Sequence, residues 1–300
     1  MLLAEARTSQ GRMFEAFQTS PALAITGAGL LGLVVGSFLN VVMLRLPPRL
    51  MHGWRVQARE LLELREDPKD PAPPDLTFAR SRCPKCGHAL SAWENIPLLS
   101  YAALRGRCRA CRTPISWQYP LVEALTGVLS AIVMWRFGWG WPALGALVVT
   151  WMLVAGAGID LRTTLLPDEI TLPLLWFALL CAAAGLYVDP RTAILGAVAG
   201  YLSLWSVYWA FKLLTGKEGM GYGDFKLLAA LGALVGAVGI VPIVLLSALV
   251  GAIAGSIWLA LRGRDRATPI PFGPFLAAGG WIQFLYGPAI LEAWLGAPLP

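Results

Sequence analysis

Six residues of this sequence have the types and spacing to do chemistry. Four are cysteines in two pairs, Cys83-Pro-Lys-Cys86 and Cys108-Arg-Ala-Cys111. Two residues between thiols let both sulfurs turn toward one ion, and two such turns supply a closed tetrahedral zinc site. The 21 residues between the pairs stand at the edge of the zinc-ribbon range. Two disulfides or redox pairs are the alternative, which a reducing cytoplasm disfavours. A four-thiolate site leaves no open position for water, so the metal is expected to be structural. The other two residues are Asp160, in Gly158-Ile159-Asp160, and Asp224, in Gly221-Tyr222-Gly223-Asp224. Each borders a long apolar run, where a carboxylate is costly. Two carboxylates sharing one site cannot both ionise easily, so one acts as base toward water and the other as acid toward a leaving amine. Such a pair cuts peptide bonds without a metal or a covalent intermediate. Gly221 and Gly223 suit a backbone that approaches a substrate closely or turns sharply. Helix capping is the plainer account of each acid alone. Asp224 ahead of Phe225 is an N-cap candidate. Asp168 and Glu169 are competing acids, and capping also accounts for Asp168, which follows Pro167.

The elements that position these groups are membrane helices. The chain is 57% hydrophobic and 14% charged, against about 25% charged in a soluble domain. The apolar residues gather in runs of roughly membrane-spanning length. Eight spans are expected: Ala22–Leu44, Leu121–Phe137, Pro142–Ile159, Leu172–Val188, Thr192–Leu214, Phe225–Val235, Ile240–Leu261 and Pro274–Leu295. A turn near Gly236–Pro242 divides the apolar stretch 227–261. Residues 1–20 have no apolar core, so the first run is expected to be a permanent helix rather than a cleaved signal. The fold class is therefore an all-α polytopic membrane protein with about eight helices. Its expected parts are an extracytoplasmic tail (1–21), a first transmembrane helix (22–44), a cytoplasmic loop with the four-Cys module (45–120) and a seven-helix membrane core (121–296).

With loop 45–120 on the cytoplasmic side, alternation brings 20 of the 24 Lys and Arg to that side, as the positive-inside rule requires. Both aspartates then lie at the cytoplasmic boundary and can face each other. Within the loop, Arg55–Glu66 reads as a short amphipathic helix and Asp67–Asp75 as a linker. Arg105, Arg107, Arg109 and Arg112 surround the second cysteine pair. They suit nucleic acid, lipid headgroups or an acidic partner, and charge beside a lipid bilayer is the preferred reading; no nucleic-acid partner is expected. Glu123 either binds an amine or starts a helix. Asn40 is expected to bond a neighbouring helix. His88 is expected at the surface rather than as a metal ligand, and Cys181 in packing.

Together these residues resemble the type IV prepilin peptidase family, the prepilin leader peptidase/N-methyltransferases. The resemblance runs from about residue 30 to 280. It is carried by Gly36-Ser37-Phe38-Leu39-Asn40-Val41-Val42, the cysteine pairs, Asn95-Ile96-Pro97-Leu98-Leu99-Ser100, Pro114-Ile115-Ser116, and Tyr119-Pro120-Leu121-Val122-Glu123. Ile159-Asp160-Leu161, Gly221-Tyr222-Gly223-Asp224-Phe225-Lys226-Leu227 and Pro271-Phe272-Gly273-Pro274 complete it. The resemblance implies a bacterial inner-membrane enzyme. It would remove the basic leader of prepilins and pseudopilins at the cytoplasmic face, for type IV pili or type II secretion. It would then methylate the new amino terminus with S-adenosylmethionine. It implies catalytic Asp160 and Asp224, and zinc on Cys83, Cys86, Cys108 and Cys111. The residues show no Gly-rich cofactor turn of the usual kind, so methyl transfer rests on the resemblance. Two other classes are a transporter, which predicts related halves with broken helices, and a membrane-anchored zinc-ribbon interaction protein.

Overall fold

The computed structural model describes residues 17–65, 70–76, 79–262 and 271–295. Most of the expected tail, part of the linker and most of the loop 262–273 lie outside the described residues. The chain forms two compact units, Met1–Trp151 and Met152–Pro300.

The first unit begins with α1, Pro21–Leu61. The Ser20 hydroxyl caps it by accepting the Leu23 N–H at 3.4 Å, and Pro21 occupies its first turn, where no donor is needed. The expected end at Leu44 does not occur. The helix runs through Pro47 and Pro48 and takes in the expected amphipathic helix as far as Leu61, for 41 residues in all. At about 1.5 Å per residue that is roughly 60 Å, twice the hydrocarbon thickness of a bilayer. The prolines remove two ladder hydrogen bonds, but side chains beyond the membrane run clamp the extension. Arg45 donates to the carbonyls of Asp75 and Ala79 at 2.6 and 2.9 Å. Arg55 makes a two-pronged contact with Asp70, 2.9 Å on each prong. Arg59 joins it at 3.2 Å. The Arg55 guanidinium holds the Asp70 carboxyl well below the usual carboxylate range.

Helix α2, Leu99–Ala103, follows a 3-10 turn at Ala92–Asn95. Helix α3, Gln118–Phe137, packs along α1. Small residues let the two backbones approach, as in membrane helix pairs. A Cβ on Gly36 would come 2.8 Å from Glu123 Cα, and one on Gly32 2.7 Å from the Thr126 carbonyl oxygen.

Helix α4, Trp141–Thr163, begins in the first unit and ends in the second. The second unit continues with α5 (Asp168–Ala183), α6 (Pro190–Thr215), α7 (Tyr222–Val235), α8 (Ile240–Arg262) and α9 (Gly273–Leu295). The centre is α7, whose residues from Leu227 through Leu234 are all buried. It packs on α5, α6 and α9. Against α6 the contact is backbone to backbone: Gly196 meets Gly232, and a Cβ on Gly200 would lie 2.9 Å from the Leu228 carbonyl carbon. Gly236, at φ +76°, ends α7, and α8 begins at Ile240, so the expected turn stands.

Seven of the eight expected spans are helical throughout, and the fourth, Leu172–Val188, is helical as far as Ala183. Five of them, α1, α3, α4, α6 and α8, are long and apolar enough to cross a membrane. Helices α5 and α7, with 16 and 14 residues, are short of the roughly 20 that a bilayer core requires, and α9 is not among the five. Eight crossings are therefore not established. On α6, Ile194, Leu195, Val198 and Leu202 are exposed, a continuous apolar face that suits lipid as the solvent. The protein is an all-α, multi-pass membrane protein.

Candidate active site and metal centre

Asp160 lies one turn before the end of α4, and Asp224 in the first turn of α7. Both are buried, 5% and 8% exposed. They stand 64 positions apart in sequence, and both belong to the second compact unit. The Asp160 Oδ2 accepts the backbone N–H of Gly273, the first residue of α9, at 2.9 Å. Helices α4 and α9 thus meet at Asp160, and α9 also packs on α7, which carries Asp224. Asp224 is not the N-cap that its place before Phe225 suggests. Gly221 is the cap, and the helix starts at Tyr222. Within the first turn the free N–H groups of the helix favour a carboxylate.

The neighbouring acids separate cleanly from the pair. Asp168 opens α5 behind an N-cap at Pro167, so it is not itself the cap. It binds Lys226 Nζ at 2.6 and 2.7 Å and is half-exposed. Glu169 is exposed. Of the two glycines, Gly223 is the constrained one, because a Cβ there would lie 2.7 Å from both Cβ and O of Leu166. Gly221 has open space and an ordinary φ of −86°. Behind the site Tyr208, Tyr222 and Phe225 form an aromatic cluster with centroids 5.2–5.6 Å apart.

The four cysteines also converge. Each pair sits on the same turn. The N–H of Gly87 bonds to the Cys83 carbonyl, that of Arg112 to Cys108, and an antiparallel bridge closes each turn, Arg82 with Ala89 and Arg107 with Pro114. The turns need a positive φ at their ends, taken by Gly87 at +72° and Arg112 at +57°. All four sulfurs lie within 4.8 Å of one another, with Cys83–Cys111 at 3.8 Å and Cys86–Cys108 at 3.9 Å. A disulfide requires about 2.05 Å. A tetrahedral zinc with bonds of about 2.3 Å sets its sulfurs about 3.8 Å apart, so the donor set fits the ion. The Thr113 hydroxyl holds the Cys111 thiol down to about 6, toward the thiolate that binds metal. His88 turns away, its Nε2 lying 3.3 Å from Glu94, and Arg109 stacks on Trp93 at 5.4 Å. Cys181 is buried inside α5.

The two halves of this geometry coincide with two family models. Residues 30–137 match the bacterial peptidase A24 N-terminal domain, and residues 147–256 match the type IV leader peptidase family. A prepilin leader peptidase/N-methyltransferase of Xanthomonas campestris is 56% identical over 275 residues, covering 92% of this chain and 96% of its own. The chain belongs to the type IV leader peptidase family. Proteins of the same name from Pseudomonas aeruginosa and Aeromonas hydrophila are 54% and 53% identical, each covering 89% of this chain, and 91% and 92% of their own. No solved structure matches.

Within the family's N-terminal domain, Asn40 Nδ2 donates to the carbonyls of Gly36 and Tyr119, both at 3.2 Å, which ties α1 to α3. Glu123 is 7% exposed and accepts the Leu98 N–H on Oε2 at 2.9 Å. Leu98 has φ +59° and ψ −45°, a conformation costing about 1–3 kcal/mol in a non-glycine residue. In the sequence, Gly273 and Leu98 stand out only as members of motifs. Their roles as backbone donors to a buried carboxylate carry no side-chain signal.

Proposed function

We propose that this chain is an intramembrane aspartic peptidase of the bacterial inner membrane. It removes the basic leader of type IV prepilins and pseudopilins at the cytoplasmic face and N-methylates the new amino terminus, serving pilus biogenesis or type II secretion. The names of relatives 56% and 54% identical over the aligned residues support the substrate class. The crowding of 20 of 24 basic residues into the loops of one side supports the orientation.

The observation that carries the cleavage reading is the buried Asp160–Asp224 pair. One carboxylate takes a proton from water as the hydroxyl adds to the scissile carbonyl carbon. The other carboxyl gives its proton to the amide nitrogen as the C–N bond breaks. The Gly273 N–H orients Asp160 for this work. Cys83, Cys86, Cys108 and Cys111 would hold a structural zinc, which closes the two turns and takes no part in cleavage. S-adenosylmethionine, as methyl donor, supplies an electrophilic methyl group.

Asp160→Asn and Asp224→Asn should each abolish cleavage of a leader-bearing prepilin by the purified protein, with helix content and membrane insertion retained. Near-normal processing by either variant removes that residue from the mechanism. A trapped acyl-enzyme would remove the water mechanism altogether. A membrane-anchored zinc-ribbon binding protein would tolerate both substitutions.

A further inference from the structure

Glu123 poses a charge problem that the cleavage reading leaves open. Its carboxylate is buried, and among the described residues no basic side chain pairs with it. Its partners are neutral, the Leu98 N–H and the Ser37 side chain, so a cation brought by a ligand would meet an uncompensated acid there. Glu123 lines a partly open cavity of about 460 Å³ between α1, the start of α3 and the cysteine module. Such a volume falls within the roughly 300–1,000 Å³ of cofactor-sized pockets. The other buried carboxylate on the lining, Glu94, is already satisfied by the Ser91 N–H and hydroxyl and by His88. Arg45, whose Nη1 also donates to the carbonyls of Asp75 and Ala79, stands on the same lining with Tyr101 and Tyr119.

A ligand matching these walls carries a buried cation, a carboxylate and a flat aromatic group. We propose that this cavity binds the methyl donor S-adenosylmethionine, with Glu123 facing the sulfonium, Arg45 the ligand carboxylate and the tyrosines the adenine. The proposal rests on the methyl-transfer reading above. It also gives the metal module a task, because Cys83 and Cys108 stand on the cavity wall and a folded module is needed to close it. The competing occupant of like charge is the free amine of a newly cut polypeptide.

The test is calorimetric titration of the full-length protein in detergent with S-adenosylmethionine, with S-adenosylhomocysteine, and with a short peptide beginning in phenylalanine. Glu123→Gln keeps the acceptor for Leu98 and removes the charge. It should weaken S-adenosylmethionine by at least about tenfold and affect the neutral thioether S-adenosylhomocysteine less. Leu104→Trp, which fills the cavity, should weaken both. Leader cleavage serves as the folding control and should stay at the wild-type rate in both variants. Wild-type affinity for S-adenosylmethionine in both variants overturns the assignment, as does loss of peptide binding alone, which would give the cavity to the amine. Failure of the parent reading looks different: the wild-type protein would then transfer no labelled methyl to a cleaved substrate.

Discussion

Gly273→Ala is the sharpest perturbation of the aspartate pair, because it changes no titratable group. A Cβ at position 273 would stand 2.7 Å from Asp160 Oδ2 and 3.3 Å from its Cγ. The oxygen must retreat by several tenths of an ångström, or the carboxyl must rotate. Either movement disturbs the 2.9 Å bond from the Gly273 N–H. The obstructing atom is the free end of a side chain, and position 273 has no positive φ, so the backbone tolerates alanine. Stability should change by less than about 1 kcal/mol, since alanine is the better helix former. Activity should respond far more. A misplacement approaching 1 Å costs about a hundredfold in rate, or about 2.7 kcal/mol of barrier. The expectation is a fall of roughly 10–100-fold in kcat, with thermal unfolding unchanged. The assay is in vitro processing of a leader-bearing prepilin, followed by gel shift, alongside melting of the purified protein in detergent. Wild-type kcat in Gly273→Ala would refute the claim that Asp160 must be held where α9 holds it. A lowered rate with an equally lowered melting point would reassign the effect to folding.

The metal centre and the helix core make two further predictions. The purified protein should contain one zinc per chain by elemental analysis. Cys83→Ser or chelation should open the loop 79–117 to proteolysis, because binding at such sites is coupled to folding. A metal-free protein with a protected loop and both activities intact would count against the site. Gly200→Leu should separate α6 from α7, where a single Cβ already comes within 3.1 Å of Ala229 Cα. Overpacking of this kind costs about 1–3 kcal/mol or more, read as a lower melting point and loss of cleavage. An unchanged melting point would show that the close contact of the two helices is not required.

What this sequence determined by itself is what is written in short-range spacing. Two residues between thiols dictate a knuckle, and the two knuckles bring their sulfurs within 4.8 Å. Long apolar runs dictate helices, and the Gly236 break between α7 and α8 was legible because glycine and proline punctuate such runs. That Asp160 and Asp224 fall at one boundary of the membrane was legible less directly, as an expectation from charge alternation across the spans. The tertiary structure alone decided the rest. Pro47 and Pro48 signal an end to α1, yet the clamps from Arg45, Arg49 and Arg55 onto residues 70–79 accompany a helix that continues, and those clamps join segments remote in sequence. Asp168 looked like a cap until packing set Lys226 beside it, 58 positions away. Gly273 reaches Asp160 across 113 positions, and Leu98 reaches Glu123 across 25. Both contacts use a backbone N–H, a donor that almost every residue carries. Residue type therefore cannot announce which one is used; only the packing of the chain selects it.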